Sequence, residues 1–64
     1  MLSENNKLSA IIIDDHPLAR VAIRNLLEND GINVIAESGD GAEALQVIKE
    51  MQPDIVVVDI DIPV

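Results

Sequence analysis

The feature that most constrains the fold is the alternation of three short apolar runs with two longer amphipathic stretches. The runs are KLSAIIID at residues 7–14, INVIAE at 32–37 and DIVVVD at 54–59. Each has the length and the Ile/Val content of a buried strand. Apolar runs that do not alternate with polar residues are typical of a parallel sheet covered by helices on both faces.

The first stretch between the runs, DHPLARVAIRNLLENDG at residues 15–31, is predicted to be a helix. Pro17 suits its first turn, Asp15 or His16 can cap it, and Gly31 suits its C-terminal end. A helical period predicts an apolar face of Ala19, Ala22, Ile23, Leu26 and Leu27. It also predicts that the opposite side consists of Arg20, Arg24 and Glu28.

The second stretch, AEALQVIKEMQ at residues 42–52, is also predicted to be a helix. It follows the SGDG loop and ends before Pro53, which disfavours a helical conformation at Gln52 and predicts extended backbone there. Its predicted apolar face consists of Ala44, Leu45, Ile48 and Met51.

The resulting order, β-α-β-α-β, predicts an α/β fold. Right-handed crossovers leave few arrangements, and one of them places the first strand at the centre in the order 2-1-3. The order then reverses between strands 1 and 3, and ligands bind at the carboxyl ends of the strands at such a point.

Acidic residues follow both of those strands. Asp14 and Asp15 end the first and Asp59 ends the third, with Asp61 two residues further on. Because parallel strands bring their carboxyl ends together, we expect three carboxylates to converge, and their repulsion to raise one or more pKa values unless a cation compensates. Carboxylate and carbonyl oxygens with water suit Mg²⁺, and the Asp61 carbonyl could add a ligand.

Three other features favour simpler interpretations. His16 lies in the turn that enters the first helix, where a capping or solvated role is adequate, although it could be a ligand or a phosphate carrier. The GDG stretch lacks the spacing of a phosphate-binding loop and is interpreted as a turn. Arg20 and Arg24 are interpreted as a solvated helix face rather than an anion site.

Composition limits the alternatives. A chain of 64 residues forms one small domain at most, and without cysteine it has neither disulfides nor thiolate metal sites. Its net charge of −8 disfavours contact with nucleic acid or anionic membrane. Because the N-terminus lacks a signal-peptide pattern and no apolar run is long enough to span a bilayer, we expect a cytoplasmic location.

The combination of AIIIDDHPLAR with VVVDIDIP at this separation resembles the receiver domain of two-component response regulators. The DDHP, AIRNLLEN and GAEAL segments resemble the NarL/FixJ class of transcriptional regulators, and PDIVVVDIDIP is similar to its EvgA/BvgA-like members. The resemblance extends over residues 8–64. It implies a doubly wound, flavodoxin-like (CheY-like) fold.

The resemblance also implies a function. Asp59 is expected to accept a phosphoryl group from a sensor histidine kinase, with Mg²⁺ bound by Asp14, Asp15, Asp59 and the backbone carbonyl of Asp61. A carboxylate is a competent nucleophile toward phosphorus when a cation screens the incoming charge.

Against the family pattern, the chain ends after its third predicted strand. Residues 8–64 are therefore expected to be a truncated receiver domain behind a disordered tail at 1–7, with DNA binding confined to an absent output domain. The Ser/Thr and Lys of the later strands are missing, so we expect a small phosphodonor to modify Asp59 weakly or not at all. The outer edge of the third strand is expected to pair with a second copy.

Two alternatives remain at this point. VVVDIDIP also resembles the hydrophobic-D-x-D signature of haloacid-dehalogenase-type phosphatases, in which Asp59 would be the nucleophile and Asp61 the acid/base. That interpretation leaves Asp14 and Asp15 unexplained. The second alternative is an acidic half-domain that serves only in interactions.

Overall fold

The computed structural model describes residues 7–59. The elements follow the predicted order: β1 (Ser9–Ile13), α1 (Pro17–Asn29), β2 (Asn33–Ser38), α2 (Gly41–Met51) and β3 (Ile55–Val58). They form a parallel three-stranded sheet in the order β2-β1-β3. The predicted fold class, half of a doubly wound α/β domain, is confirmed. Asp61 and residues 1–6 of the predicted tail lie outside the described residues.

The central strand β1 forms most of the core. Its residues Ala10, Ile11, Ile12 and Ile13 are all buried. Successive side chains of a strand point to opposite faces, so both faces of β1 are covered. The edge strand β3 differs, because its residues alternate between half-buried and exposed.

The two helices lie on opposite faces of the sheet, as right-handed crossovers in opposite directions require. On one face, Ile11 and Ile13 pack with Ala44 of α2. Val47 and Ile48 of the same helix also pack against that cluster. The predicted inward positions of Leu45 and Met51 are wrong, since both side chains are exposed. The helix begins at Gly41, one residue before the predicted start, and Gly41 is buried together with Ala44. The side of α2 that faces the sheet therefore includes Val47 and not Leu45.

The orientation of α1 also differs from the prediction. Its predicted apolar face is wrong for Ala22, which is exposed, and for Leu26, which is 67% exposed. Arg20 and Arg24 are half-buried and form ion pairs with Glu37 of β2, so the prediction of a solvated face is wrong for them. The long apolar stems of arginine can lie against a sheet while the guanidinium group contacts a carboxylate.

The helix ends follow local chemistry. Pro17 occupies the first turn of α1, and Gly31 follows its end with a φ of 79°, both as predicted. Asp40 caps α2 by accepting hydrogen bonds from the backbone N–H groups of Ala42 and Glu43. The prediction of extended backbone at Gln52 is wrong: with φ 48° and ψ 61° it is left-handed and donates its N–H to the Ile48 carbonyl, which closes the last turn.

Candidate functional site

The carboxyl ends of β1 and β3 lie side by side. Ile13 is in register with Val58, and the backbone N–H of Asp59 donates to the Ile13 carbonyl at 2.9 Å. The residues that follow the two strands, Asp14 and Asp59, are therefore neighbours at one edge of the sheet. This is the convergence expected from the strand order.

Four side chains meet at this edge. Asp14, Asp15, His16 and Asp59 each place one ligand atom within 4.8 Å of the others. The Asp14 side chain is only 9% exposed and lies at the base of the cluster, whereas those of Asp15 and His16 are 50% and 66% exposed. The cluster therefore has a fixed base against the sheet and an open side toward solvent.

His16 takes a more central place than predicted. Its Nδ1 atom lies 2.8 Å from Oδ1 of Asp14, 2.9 Å from Oδ1 of Asp15 and 3.4 Å from Oδ2 of Asp59. His16 occupies the N-cap position of α1, but its side chain makes no capping hydrogen bond, so of the predicted capping or solvated roles the side-chain cap is wrong, whereas the side chain is largely exposed. The run of two acids and a histidine before Pro17 was the available signal, since a turn of this kind folds its three side chains toward one point.

The ionisation of the cluster follows from these contacts. Hydrogen bonding to Asp14 raises the pKa of His16, and the charges of Asp15 and Asp14 add to this effect. The pKa of Asp14 is lowered, first by the backbone N–H of His16 and then by its imidazole. At Asp14, hydrogen-bond donors therefore outweigh the repulsion that was expected to raise one or more carboxyl pKa values in the cluster.

The donor set fits a small, hard cation. Three carboxylates, from Asp14, Asp15 and Asp59, lie close enough to share one ion, and the exposed side of the cluster leaves room for water ligands. Mg²⁺ prefers oxygen ligands at about 2.0–2.1 Å and usually keeps several waters. The cluster could thus hold a metal ion. The Asp61 carbonyl, a predicted further ligand, lies outside the described residues.

The neighbouring SGDG segment is a helix cap. The Ser38 hydroxyl donates to the Asp40 carbonyl or the Glu43 carboxylate, each 3.1 Å away, and accepts from the Asp40 N–H. The Asp40 carboxylate accepts from the first turn of α2. The first amides of this helix are therefore already bonded to a side chain of the chain itself, which agrees with the prediction of a turn.

Among the described residues, no helix is long and apolar enough to cross a membrane.

Comparison with known proteins identifies relatives of this chain. The family model described as the response regulator receiver domain matches residues 10–64. The chain is 54% identical over 56 residues to the DNA-binding transcriptional activator EvgA of Escherichia coli strain K12, covering 88% of this chain and 28% of that protein. It is 47% identical over 53 residues to the virulence-factor transcription regulator BvgA of Bordetella pertussis, covering 83% and 25%. The chain thus spans about a quarter of the length of these relatives.

Proposed function

The chain belongs to the response regulator receiver domain family, and on this premise we propose that Asp59 accepts a phosphoryl group from a histidine kinase in the cytoplasm. The family consists of signalling domains rather than turnover enzymes. The observation that carries the proposal is the meeting of the Asp59 carboxylate with those of Asp14 and Asp15 at the carboxyl edge of the sheet.

The position of Asp59 suits a nucleophile. Its backbone is held by the Ile13 carbonyl, and its carboxylate lies at the part of the cluster that adjoins β3. In the proposed step, a carboxylate oxygen of Asp59 attacks the phosphorus of a phosphohistidine. The P–N bond breaks, its electron pair stays on the kinase imidazole, which takes up a proton from solvent, and an acyl phosphate forms on Asp59.

Asp14, Asp15 and Asp59 are proposed to hold Mg²⁺, with the backbone carbonyl of Asp61 as a further ligand. When bound, Mg²⁺ neutralises charge on the phosphoryl oxygens. The near-complete burial of Asp14 gives the cluster a fixed base, and the exposure of Asp15 leaves the opposite side open to the incoming phosphoryl group.

The site can be tested by trapping the acyl phosphate. The chain is incubated with phosphoramidate, Mg²⁺ and hydroxylamine, which converts each acyl phosphate formed into a stable hydroxamate, so that even slow phosphorylation accumulates a product. Peptide mass spectrometry is expected to find the hydroxamate at Asp59. Asp59→Asn should abolish it, and the control Asp30→Asn, an exposed carboxylate at the end of α1, should not. A product at another position, or an equal yield from Asp59→Asn, would contradict the proposal.

The alternative of a haloacid-dehalogenase-type phosphatase is not favoured. The family match spans Asp14, Asp15 and Asp59 together, whereas the phosphatase interpretation uses only Asp59 and Asp61. The two activities differ in turnover: a phosphatase would release product continuously from a chromogenic phosphate ester, and we expect no sustained release.

The relatives suggest a transcriptional output for the complete protein. EvgA is named as a DNA-binding transcriptional activator and BvgA as a transcription regulator. We propose that phosphorylation of this domain controls transcription through a DNA-binding region outside the 64 residues. A reporter gene under the control of the complete regulator, with and without Asp59→Asn, tests this proposal.

For the 64-residue chain by itself, we also propose self-association through β3. Within residues 7–59, β3 pairs only with β1. Its other edge leaves backbone groups available, and the neighbouring side chains of Val56 and Val58 are exposed. Sedimentation equilibrium should show a dimer, and a stable folded monomer would contradict this arrangement.

A further inference from the structure

The backbone carbonyl of Asp14 does not accept the hydrogen bond from β2 that the sheet ladder would provide. At the end of β1, the Asp14 N–H donates to the Ser38 carbonyl at 2.9 Å, which extends the ladder with β2. In a parallel ladder the Asp14 carbonyl would next accept from the amide two residues further along β2, that of Asp40. That amide instead donates to the Ser38 hydroxyl, because the chain turns at Gly39 to begin the cap of α2.

Arg20 supplies the missing donor. Its Nη1 atom donates to the Asp14 carbonyl at 2.6 Å. The same guanidinium group lies beside Glu37 of β2, with Nε 3.6 Å from Oε1, and Glu37 in turn accepts from Arg24 Nη1 at 2.6 Å. The Arg20 side chain is only 24% exposed. Arg20 therefore connects α1 both to the carboxyl end of β1, through the Asp14 carbonyl, and to β2, through Glu37. A planar, forked guanidinium group can make both contacts at once.

Gly39 leaves space for this guanidinium group. A Cβ atom at position 39 would lie 3.0 Å from Arg20 Nη1 and 3.4 Å from the Cα of Asp15. Such a distance is shorter than ordinary van der Waals contact, so a side chain at this position would push the Arg20 guanidinium group by a few tenths of an ångström relative to the Asp14 carbonyl. The φ angle of Gly39 is not in the left-handed region, which makes an alanine there a probe of space rather than of backbone strain.

We propose that Arg20 is a positioning residue for the cation site. The carbonyl that it holds belongs to the peptide group between Asp14 and Asp15, and the orientation of that peptide determines where the Asp15 side chain points. Asp15 depends on this more than Asp14 does, because its side chain is half exposed and contacts His16, which is itself largely exposed. Arg20 thus directs the outer carboxylate of the cluster toward the ion. The inference rests on the proposed function, since it concerns the same Mg²⁺ site.

A purely electrostatic role for Arg20 makes the opposite prediction. A guanidinium group next to an acidic cluster repels an incoming cation, so removing its charge would strengthen Mg²⁺ binding. If Arg20 instead positions Asp15, removing it weakens binding in spite of the lost repulsion. Lysine at this position separates the two roles further. It retains the positive charge but lacks the rigid, forked guanidinium group that contacts the Asp14 carbonyl and Glu37 together.

Calorimetric titration of the chain with MgCl₂ tests the proposal. We expect Arg20→Gln and Arg20→Lys each to raise the Kd about tenfold, the lower end of the usual effect of residues that orient metal ligands. Gly39→Ala should raise it in the same direction by a smaller factor. The matched control is Arg24→Gln, which removes an equal charge and a contact to the same Glu37 but does not touch Asp14. It should change the Kd by less than about twofold.

Two further measurements separate positioning from a loss of stability. Thermal unfolding without Mg²⁺ should show comparable losses for Arg20→Gln and Arg24→Gln, while only the former weakens binding. In amide NMR spectra, Arg20→Lys should shift the Asp15 N–H, which belongs to the peptide group in question, and Arg24→Gln should not. Tighter binding by Arg20→Gln, or unchanged binding by Arg20→Lys, would overturn the inference. If the wild type itself does not bind Mg²⁺, the proposed cation site fails and this inference with it.

Discussion

The Nδ1 atom of His16 lies 2.8 Å from Oδ1 of Asp14. The imidazole of His16 thus stands among the same carboxylates that are proposed to hold Mg²⁺, and both a proton on this ring and a bound cation neutralise the cluster. Two positive groups cannot share the cluster without repulsion. The histidine and the metal ion are therefore competitors for one set of oxygens.

The first prediction concerns this competition. Without Mg²⁺, the pKa of His16 should lie above its ordinary value of 6.5, because the hydrogen bond to Asp14 and the neighbouring carboxylate charges favour the imidazolium. Saturating Mg²⁺ should lower that pKa. The chain has one histidine, so one imidazole resonance in an NMR pH titration reports it without ambiguity. Addition of NaCl at equal ionic strength is the control, and a pKa that is the same with Mg²⁺ and with NaCl would contradict the prediction.

The second prediction concerns stability and pH. A histidine whose pKa is raised in the folded state stabilises that state fully below its ordinary pKa of 6.5, and the contribution disappears as the pH rises through the folded-state value. In urea unfolding without Mg²⁺, His16→Gln should therefore be less stable than the wild type at pH 6. The difference should shrink as the pH approaches 9. A difference that is constant over this range would show that the lost contribution is packing rather than charge.

The sequence was sufficient to predict the features of the site that follow from the order of the strands. The convergence of Asp14 and Asp59 follows from two apolar runs becoming parallel neighbours, a consequence of chirality and topology that needs no side-chain detail. The predicted order and the position of the acids were therefore correct. The turn predicted at SGDG also agrees with the structure, because a turn is a local interaction between residues close in sequence.

Apart from the backbone of Gln52, several errors concern contacts between residues that are distant in sequence. The inward orientation of Arg20 depends on Glu37, and nothing in the helical period of α1 indicates a carboxylate on a neighbouring strand. The helical period of α2 likewise does not show that Gly41 is buried and that the side facing the sheet includes Val47 and not Leu45. The sequence places His16 next to Asp14 and Asp15 but does not show that its imidazole also approaches Asp59, a contact between residues far apart in the chain.

The third prediction concerns the cap of α2. Asp40 accepts from the N–H groups of Ala42 and Glu43, so Asp40→Ala leaves those donors to solvent and should lower the free energy of unfolding by about 1 kcal/mol. Asp30→Ala removes another exposed carboxylate, at the opposite type of helix end, where an acid is not favoured by the helix dipole. It should cost less than Asp40→Ala in urea unfolding, and equal losses would show that the cap contributes nothing specific.

The fourth prediction concerns the central strand. Ile12 is fully buried in β1, and Ile12→Val removes one methylene group from a packed site. Few other apolar side chains are buried, so the neighbours of Ile12 have little capacity to fill the space. A loss of about 1 kcal/mol in the free energy of unfolding is expected from this change. Leu18→Ala removes more carbon atoms, but from a side chain of α1 that is almost fully exposed, and should cost less than about 0.5 kcal/mol. Urea unfolding of both variants measures this contrast. If the larger, exposed truncation were the more damaging one, then α1 would have to be packed against another surface in solution, and the stability of the chain would no longer be determined by β1.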